Sequence, residues 1–108
     1  MNTCKLDQPL PNISDKLLVI NATSLGLKPE DPTPAKLRNL PASTLVFDMI
    51  YNPARTALLK EAETLGMQVA NGLGMLAYQG ERSLSIWTQK NPSAKTMFDA
   101  ARAGLSPT

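Results

Sequence analysis

The stretch Leu17-Leu-Val-Ile-Asn-Ala-Thr-Ser24 decides the fold class of this chain. Its first four residues form a continuous apolar run, and small polar residues follow at once. An apolar run without alternation is typical of a strand buried on both faces, as in a parallel sheet. We therefore expect a β-strand over residues 17–20 and a loop from residue 21 onward.

Two more strands and several helices follow in alternation. A run rich in β-formers predicts a second strand over 44–51, and a short third strand is predicted over 67–70. Start and stop signals predict three helices, at 54–65, from the 71–74 turn to about 89, and from about 93 to 103. The apolar residues of the first helix are predicted to share one inward side, and in the second helix Leu73, Leu84 and Trp87 recur at helical spacing and predict an apolar stripe. Three prolines make residues 26–34 a loop, and a short helical turn is predicted over 35–40.

This alternation of strands and helices predicts the architecture. It indicates βαβ units and hence an α/β fold with a parallel sheet. Three strands make about half of a doubly wound domain, which we place at residues 17–108 behind an irregular lead-in at residues 1–16. One edge of such a half-sheet would lack its neighbour, and an open edge invites pairing with another chain.

The composition argues against several classes of protein. The net charge is +2, and Lys and Arg are interspersed with Asp and Glu, so we expect no nucleic-acid surface. Residues 1–15 resemble no signal peptide, and no run approaches the ~18 apolar residues of a membrane span, which predicts a cytoplasmic protein without a membrane partner. The single Cys4 fits a reducing compartment. Because the chain has no histidine, we expect no metal site.

Three short motifs fall where the predicted strands end. They are Asn21–Ser24, Asp48–Pro53 and Asn71–Met75. In an open parallel sheet, ligands bind outside the carboxyl ends of the strands. Small polar residues and glycines there allow a planar ligand to approach the backbone, and the helix starting near Gly72 offers free N–H groups. The motifs therefore predict a ligand site at this edge of the sheet.

The same motifs resemble signatures of the shikimate dehydrogenase family. Residues 17–26 are similar to the family's strand ending in N-A-T-S-x-G, and residues 47–59 are similar to its D-x-x-Y-x-P-x-x-T-x-L-L segment. Residues 71–80, with Trp87-Thr88 downstream, resemble its D-G-x-x-M-L-x-x-Q-G signature. The resemblance covers about 17–103 and implies the C-terminal half of an NADP-binding, Rossmann-like domain.

For the cofactor, the resemblance implies NADP and four contact positions. Thr23 and Ser24 would line the cofactor cleft, Met49 would pack near the nicotinamide, and the Gly72 backbone would bond the carboxamide. Purely structural roles remain open for each of them, because Thr and Ser also start loops, Met also fills strand cores, and glycine also starts helices.

For the substrate, the resemblance implies a shikimate-like small molecule, reduced from 3-dehydroshikimate in aromatic amino acid biosynthesis. Tyr51 and Gln79 would reach it, because a hydroxyl and an amide can each donate and accept a hydrogen bond. Alternatively, Tyr51 anchors a turn and Gln79 is a solvated helix residue. The sequence does not separate shikimate from quinate as substrates, and the choice of NADP rather than NAD rests on the resemblance alone.

Some family features are not found in these 108 residues. Asn71 stands where the family usually has Asp, and Ala57 where Pro often follows the Thr. No glycine-rich loop precedes the first strand, and no Arg-bearing segment for the 2′-phosphate is assigned. The family's catalytic Lys and Asp belong to a substrate domain, and Lys16, Lys60 and Asp48 do not fit their contexts. We therefore assign no catalytic residue and expect the isolated chain to be inactive.

Three hypotheses about function follow. The first is a C-terminal fragment of an NADP-dependent shikimate dehydrogenase, which works with a second chain that carries the substrate domain and the glycine-rich loop. The alternative is a non-catalytic α/β module that binds a partner protein, or a second copy of itself, through the open sheet edge. The third is a remnant or an excised piece without present function.

Overall fold

The computed structural model describes residues 16–105, so most of the predicted lead-in and the last three residues lie outside the described part. Three strands and three helices follow one another in the chain: β1 (Leu18–Asn21), β2 (Leu45–Asp48), α1 (Ala57–Thr64), β3 (Gln68–Ala70), α2 (Leu73–Thr88) and α3 (Ala94–Ala103). The strands lie side by side in chain order, and both pairs are parallel. The predicted α/β fold, half of a doubly wound parallel sheet, is confirmed.

One face of the sheet carries the hydrophobic core. Val46 in the central strand is buried against α1, whose Leu58, Leu59 and Ala62 point inward. The helix begins at an N-cap threonine and ends before Gly66, whose φ of 80° is the left-handed conformation that glycine adopts without strain. The inward side predicted for this helix is therefore confirmed.

The opposite face of the sheet is open. Leu18 is 59% exposed and Ile20 is 52% exposed, and both lie beside apolar residues of β2. The expectation of a first strand buried on both faces is wrong for the described residues. The reason is that α1 covers one face only, while α2 and α3 pack chiefly against each other.

Several predicted boundaries also shift. The second strand ends at Asp48 rather than at residue 51, because its side chain accepts a hydrogen bond from the Ile50 N–H and turns the chain. Helix α1 starts at Ala57 rather than at residue 54, after the Thr56 cap. The helical turn predicted over 35–40 is a single hydrogen-bonded turn closed by the Leu40 N–H.

Helix α2 is buried over its first half only. Leu73 and Ala77 are buried, and an added Cβ on Gly80 would lie 2.9 Å from Cε of Met97 in α3. By contrast, Trp87, predicted to belong to the same apolar stripe, is 78% exposed. Within residues 16–105, no helix is both long and apolar enough to cross a membrane.

Candidate functional site

An open depression of about 420 Å³ lies where β1 and β2 end. Its lining comes from the two turns that follow these strands: Ala22, Thr23, Leu27, Met49, Ile50, Tyr51 and Asn52. Most of this wall is apolar, and it also carries a threonine hydroxyl and a tyrosine phenol. Such a surface suits a flat ring that needs one or two hydrogen bonds.

Three of the six predicted site residues meet in this depression. Thr23 comes from the turn after β1, and Met49 and Tyr51 come from the turn after β2. Met49 is 37% exposed there, so its thioether offers an apolar contact that the protein core does not use. Ser24 lies in the same turn as Thr23 and is exposed, but it does not line the depression.

Gly72 abuts the depression from the third strand end. Its N–H donates a 3.1 Å hydrogen bond to the Ile50 carbonyl, and its own carbonyl accepts one of 3.0 Å from the Leu76 N–H. An added Cβ on Gly72 would lie 2.0 Å from the carbonyl oxygen of Met49. Only glycine therefore permits this approach, and the backbone group left for a ligand is the second lone pair of the Gly72 carbonyl.

Asn71 stabilises the turn between β3 and α2 with two side-chain hydrogen bonds. Its Oδ1 accepts a 3.0 Å hydrogen bond from the Leu73 N–H, and its Nδ2 donates one of 3.1 Å to the Ala54 carbonyl. Together with the Gly72 bond, this means that two of the first N–H groups of α2 have partners inside the chain. The expectation of free N–H groups at this helix start is therefore wrong for Gly72 and Leu73.

Gln79 lies apart from the other predicted residues. It is an exposed side chain on α2, two helical turns beyond Gly72, and it does not line the depression. The spacing of seven residues puts it on the same side of the helix as Gly72. A ligand that contacts both Tyr51 and Gln79 would therefore extend from the depression along α2.

A buried carboxylate lies directly beneath the depression. Asp48 has no exposed surface, and each of its oxygens accepts hydrogen bonds. Oδ1 accepts from Asn21 Nδ2 at 3.1 Å and from the Ile50 N–H at 3.0 Å, and Oδ2 accepts from the Thr56 hydroxyl at 2.7 Å. This carboxylate therefore joins the end of β1, the turn after β2 and the cap of α1.

Asn21 extends the same network to the turn after β1. Its Oδ1 accepts from the Thr23 N–H at 3.0 Å and from the Thr23 hydroxyl at 2.7 Å, and its Nδ2 also donates to the Leu25 carbonyl at 3.1 Å. Asn21 and Asp48 belong to motifs that predict a ligand site, but the sequence predicted no role for Asn21 itself, and Asp48 was only excluded as a catalytic candidate. The signal was present, since both are polar residues that close adjacent apolar strands.

The rim of the turn after β1 is set by Gly26 and Asp31. Gly26 has a φ of 117°, and an added Cβ would lie 3.2 Å from Cδ1 of Ile50. Oδ2 of Asp31 accepts hydrogen bonds from the N–H groups of Lys28 and Gly26, and these bonds hold the pKa of Asp31 below its usual value of 3.8. In the described part of the chain, no three potential metal ligands gather at one point.

Comparison with known proteins covers most of this chain. Residues 72–102 match the family described as Shikimate 5′-dehydrogenase C-terminal domain. A shikimate dehydrogenase (NADP(+)) of Methanococcus aeolicus is 42% identical over 91 residues, which is 82% of this chain and 33% of the relative. This identity extends well beyond the range of the family match.

Solved structures of similar proteins share the fold of this chain. A crystal structure of a shikimate dehydrogenase in complex with NADP+ has a TM-score of 0.77 at 38% identity, over 83% of this chain and 32% of that one. A ligand-free 5-ketofructose reductase of Gluconobacter sp. strain CHM43 has a TM-score of 0.74 at 36% identity, over 89% of this chain and 34% of that one.

The extent of these matches defines the relationship. The chain spans about a third of the length of the curated relatives it matches. Sequence identity and fold similarity each cover most of this chain, and the family match is to a C-terminal domain. This chain therefore corresponds, in sequence and in fold, to the C-terminal portion of the shikimate dehydrogenases.

Proposed function

We propose that this chain forms the nicotinamide side of the active site of an NADP-dependent shikimate dehydrogenase. The observation that carries the proposal is the meeting of Thr23, Met49 and Tyr51 at the carboxyl ends of two parallel strands. Each comes from a different position in the family motifs, and the fold brings them to one depression. Ligands of open α/β sheets bind at such strand ends.

The residues around the depression fit a nicotinamide ring. Met49 leaves an apolar side chain exposed where a flat ring would cover it, and the Gly72 carbonyl has a lone pair free for a carboxamide N–H. Thr23 and Ser24 would line the cofactor cleft beside them. When bound, NADPH would supply the hydride that reduces the substrate carbonyl.

On the substrate side, the proposal assigns hydrogen bonding to Tyr51 and Gln79. The phenol and the amide would orient a polyhydroxylated carboxylate such as 3-dehydroshikimate, because each can donate and accept. The exposed position of Gln79 on α2 leaves it accessible to a ligand that extends beyond the depression. The alcohols shikimate and quinate, and the ketones that are reduced to them, share this pattern of hydroxyl and carboxylate groups, so we propose the class of substrate rather than one member.

These 108 residues need further components for hydride transfer. Hydride transfer requires the cofactor and the substrate to be held at reacting distance, with a proton donor at the carbonyl oxygen. Among residues 16–105, the turns around this open depression form no binding site for the cofactor phosphates, and no residue is assigned as that proton donor. We therefore propose that a glycine-rich loop and a substrate domain complete the site, and that the 108-residue polypeptide alone is inactive.

The two halves of the cofactor provide a direct test. The ¹⁵N-labelled chain is titrated with nicotinamide mononucleotide and, separately, with adenosine 2′,5′-bisphosphate, both at millimolar concentration because weak binding is expected. The proposal predicts NMR shift changes at Thr23, Met49 and Gly72 with the nicotinamide half only. Changes with the adenosine half only, or with neither, would contradict it.

A second candidate function is supported by the open sheet face. Leu18, Ile20 and Leu45 are exposed side by side, which is unusual for a parallel sheet and typical of a surface that another chain covers. A non-catalytic module could bind a partner protein, or a second copy of itself, at this edge and face. Sedimentation of the chain and of Ile20→Lys, with Thr96→Lys on exposed α3 as the control, would detect self-association that only the strand substitution abolishes.

A further inference from the structure

The two turns that line the depression are joined by a buried side-chain bond. Thr23 belongs to the first turn and is held by Asn21, whereas the Ile50 N–H belongs to the second turn and is held by Asp48. Asn21 and Asp48 are direct neighbours in the parallel sheet register, and the 3.1 Å bond between their side chains connects the two turns.

We propose that Asn21 and Asp48 are positioning residues that couple these two turns into one unit, so that a change at Thr23 is transmitted to the segment Met49–Tyr51. Neither residue lines the depression, but both are buried, and each directly precedes a residue that lines it. For catalysis, this inference rests on the proposed function, because coupling would then fix the cofactor contacts of one turn relative to the substrate contact of the other.

The energetics of a buried network favour such coupling. Asp48 is fully buried and accepts three hydrogen bonds, so displacing any of its donors leaves a carboxylate without solvent to replace the lost bond. Hydrogen bonds in a chain also polarise one another, and a network is therefore worth more than its separate bonds. The two turns are thus expected to open together rather than independently.

The backbone contributes a second connection. The Met49 N–H donates a 3.1 Å hydrogen bond to the Asn21 carbonyl and thereby fixes the first residue after β2. This bond ends at Met49, whereas the Asp48 carboxylate reaches one residue further to the Ile50 N–H and also to the cap of α1. The side chains of Asn21 and Asp48 are therefore needed to carry a change at Thr23 to Ile50, the residue directly before Tyr51.

Amide hydrogen exchange measures this coupling without a ligand. Thr23→Val removes the hydroxyl that bonds Asn21 and leaves both Asn21 and Asp48 in place, and Thr23→Ser is the matched control that keeps the hydroxyl. The proposal predicts that Thr23→Val accelerates exchange of the Ile50 N–H about tenfold, which corresponds to the loss of one partly buried hydrogen bond. Thr23→Ser should leave the rate within about twofold of the wild type, because its bond is preserved.

Transmission in the opposite direction, from Asp48 to Thr23, is tested with a conservative change of the carboxylate. Asp48→Asn keeps the shape but replaces one acceptor by a donor, and it should accelerate exchange of the Thr23 N–H, whose own acceptor Asn21 is unchanged. Val69→Ala, a partly buried core change outside the network, corrects for a general loss of stability. If Asp48 has a purely structural role, Val69→Ala and Asp48→Asn should each accelerate exchange of the Thr23 N–H in proportion to the free energy of unfolding that the substitution removes.

The outcomes separate this proposal from the proposed function. Acceleration across the turns by Thr23→Val and Asp48→Asn, beyond that of Val69→Ala, supports the coupling whether or not nicotinamide mononucleotide binds. Exchange of Ile50 that is unchanged in Thr23→Val overturns the coupling. If the coupling is observed and the nucleotide produces no shift at Thr23 or Gly72, the positioning role stands and the proposed function falls.

Discussion

Gly72 and Met49 approach so closely that a side chain on the glycine would overlap the methionine carbonyl. An added Cβ on Gly72 would lie 2.0 Å from that oxygen, and the Gly72 N–H is bonded to the next carbonyl in the same turn. This contact brings the start of α2 against the end of β2. It therefore fixes the third side of the candidate site by backbone packing alone.

The first prediction concerns this contact. Gly72→Ala should destabilise the chain by about 3 kcal/mol, because the overlap is with backbone that cannot move aside. Gly74→Ala is the control, since nothing lies within 4 Å of its added Cβ and it is inside α2. It should stabilise the chain by up to about 1 kcal/mol through helix propensity. Urea unfolding measures both, and equal effects of the two substitutions would refute the role given to Gly72.

The second prediction concerns Asn71, which occupies a position where the family usually has Asp. Asn71→Asp should cost about 1 kcal/mol in this chain. The new oxygen would face the Ala54 carbonyl in place of the present N–H donor, and this loss exceeds the few tenths of a kcal/mol gained from a negative charge at the start of α2. Unfolding free energies of Asn71→Asp and Asn71→Ala test it. A more stable Asn71→Asp chain would show that the Ala54 bond contributes little.

The third prediction compares two buried threonines. The Thr44 hydroxyl has no hydrogen-bond partner among residues 16–105, whereas the Thr56 hydroxyl donates to Asp48 and accepts from the Leu59 N–H. Thr44→Val should therefore stabilise the chain by about 1 kcal/mol, and Thr56→Val should destabilise it by about 2 kcal/mol. Thermal and urea unfolding of the two variants provide the comparison. Equal effects would mean that the hydroxyls do not differ as described.

The fourth prediction concerns pH. The N–H groups of Lys28 and Gly26 lower the pKa of Asp31 below 3.8, so its ionised form is favoured in the folded chain. Its contribution to stability should be complete above pH 3.8 and should be lost as the pH falls through the lowered pKa. An NMR titration of the Asp31 carboxyl, with Asp31→Asn to assign it, measures the midpoint. A midpoint at or above 3.8 would contradict the prediction.

The sequence predicted the strands and helices of this fold better than it predicted which of their faces are buried. Local signals locate β1, α1 and α3, because apolar runs, the Ser93 cap and Gly66 act over a few residues. The open face of β1 was missed, since continuous apolarity says that a strand can be buried on both sides and not that a second layer is present in residues 16–105. The exposure of Trp87 was missed for the same reason.

For the candidate site, the motifs predicted which turns converge but not which hydrogen bonds and backbone contacts hold the turns together. Thr23, Met49 and Tyr51 line one depression, as their positions at strand ends suggested. The partnership of Asn21 with Asp48 depends on strand register, which a single sequence does not specify. The contact of Gly72 with Met49 likewise depends on how the third strand end packs, and the functional roles of all six predicted residues remain predictions.

The most direct test of the central claim is a dehydrogenase assay with NADP+ and shikimate on three samples. They are the 108-residue chain alone, the N-terminal two-thirds of the Methanococcus aeolicus relative alone, and the two mixed, with complex formation checked by sedimentation. We predict activity only in the mixture, and a large loss of it with Tyr51→Phe. Activity of the 108-residue chain alone, or a stable complex without activity, would contradict the account.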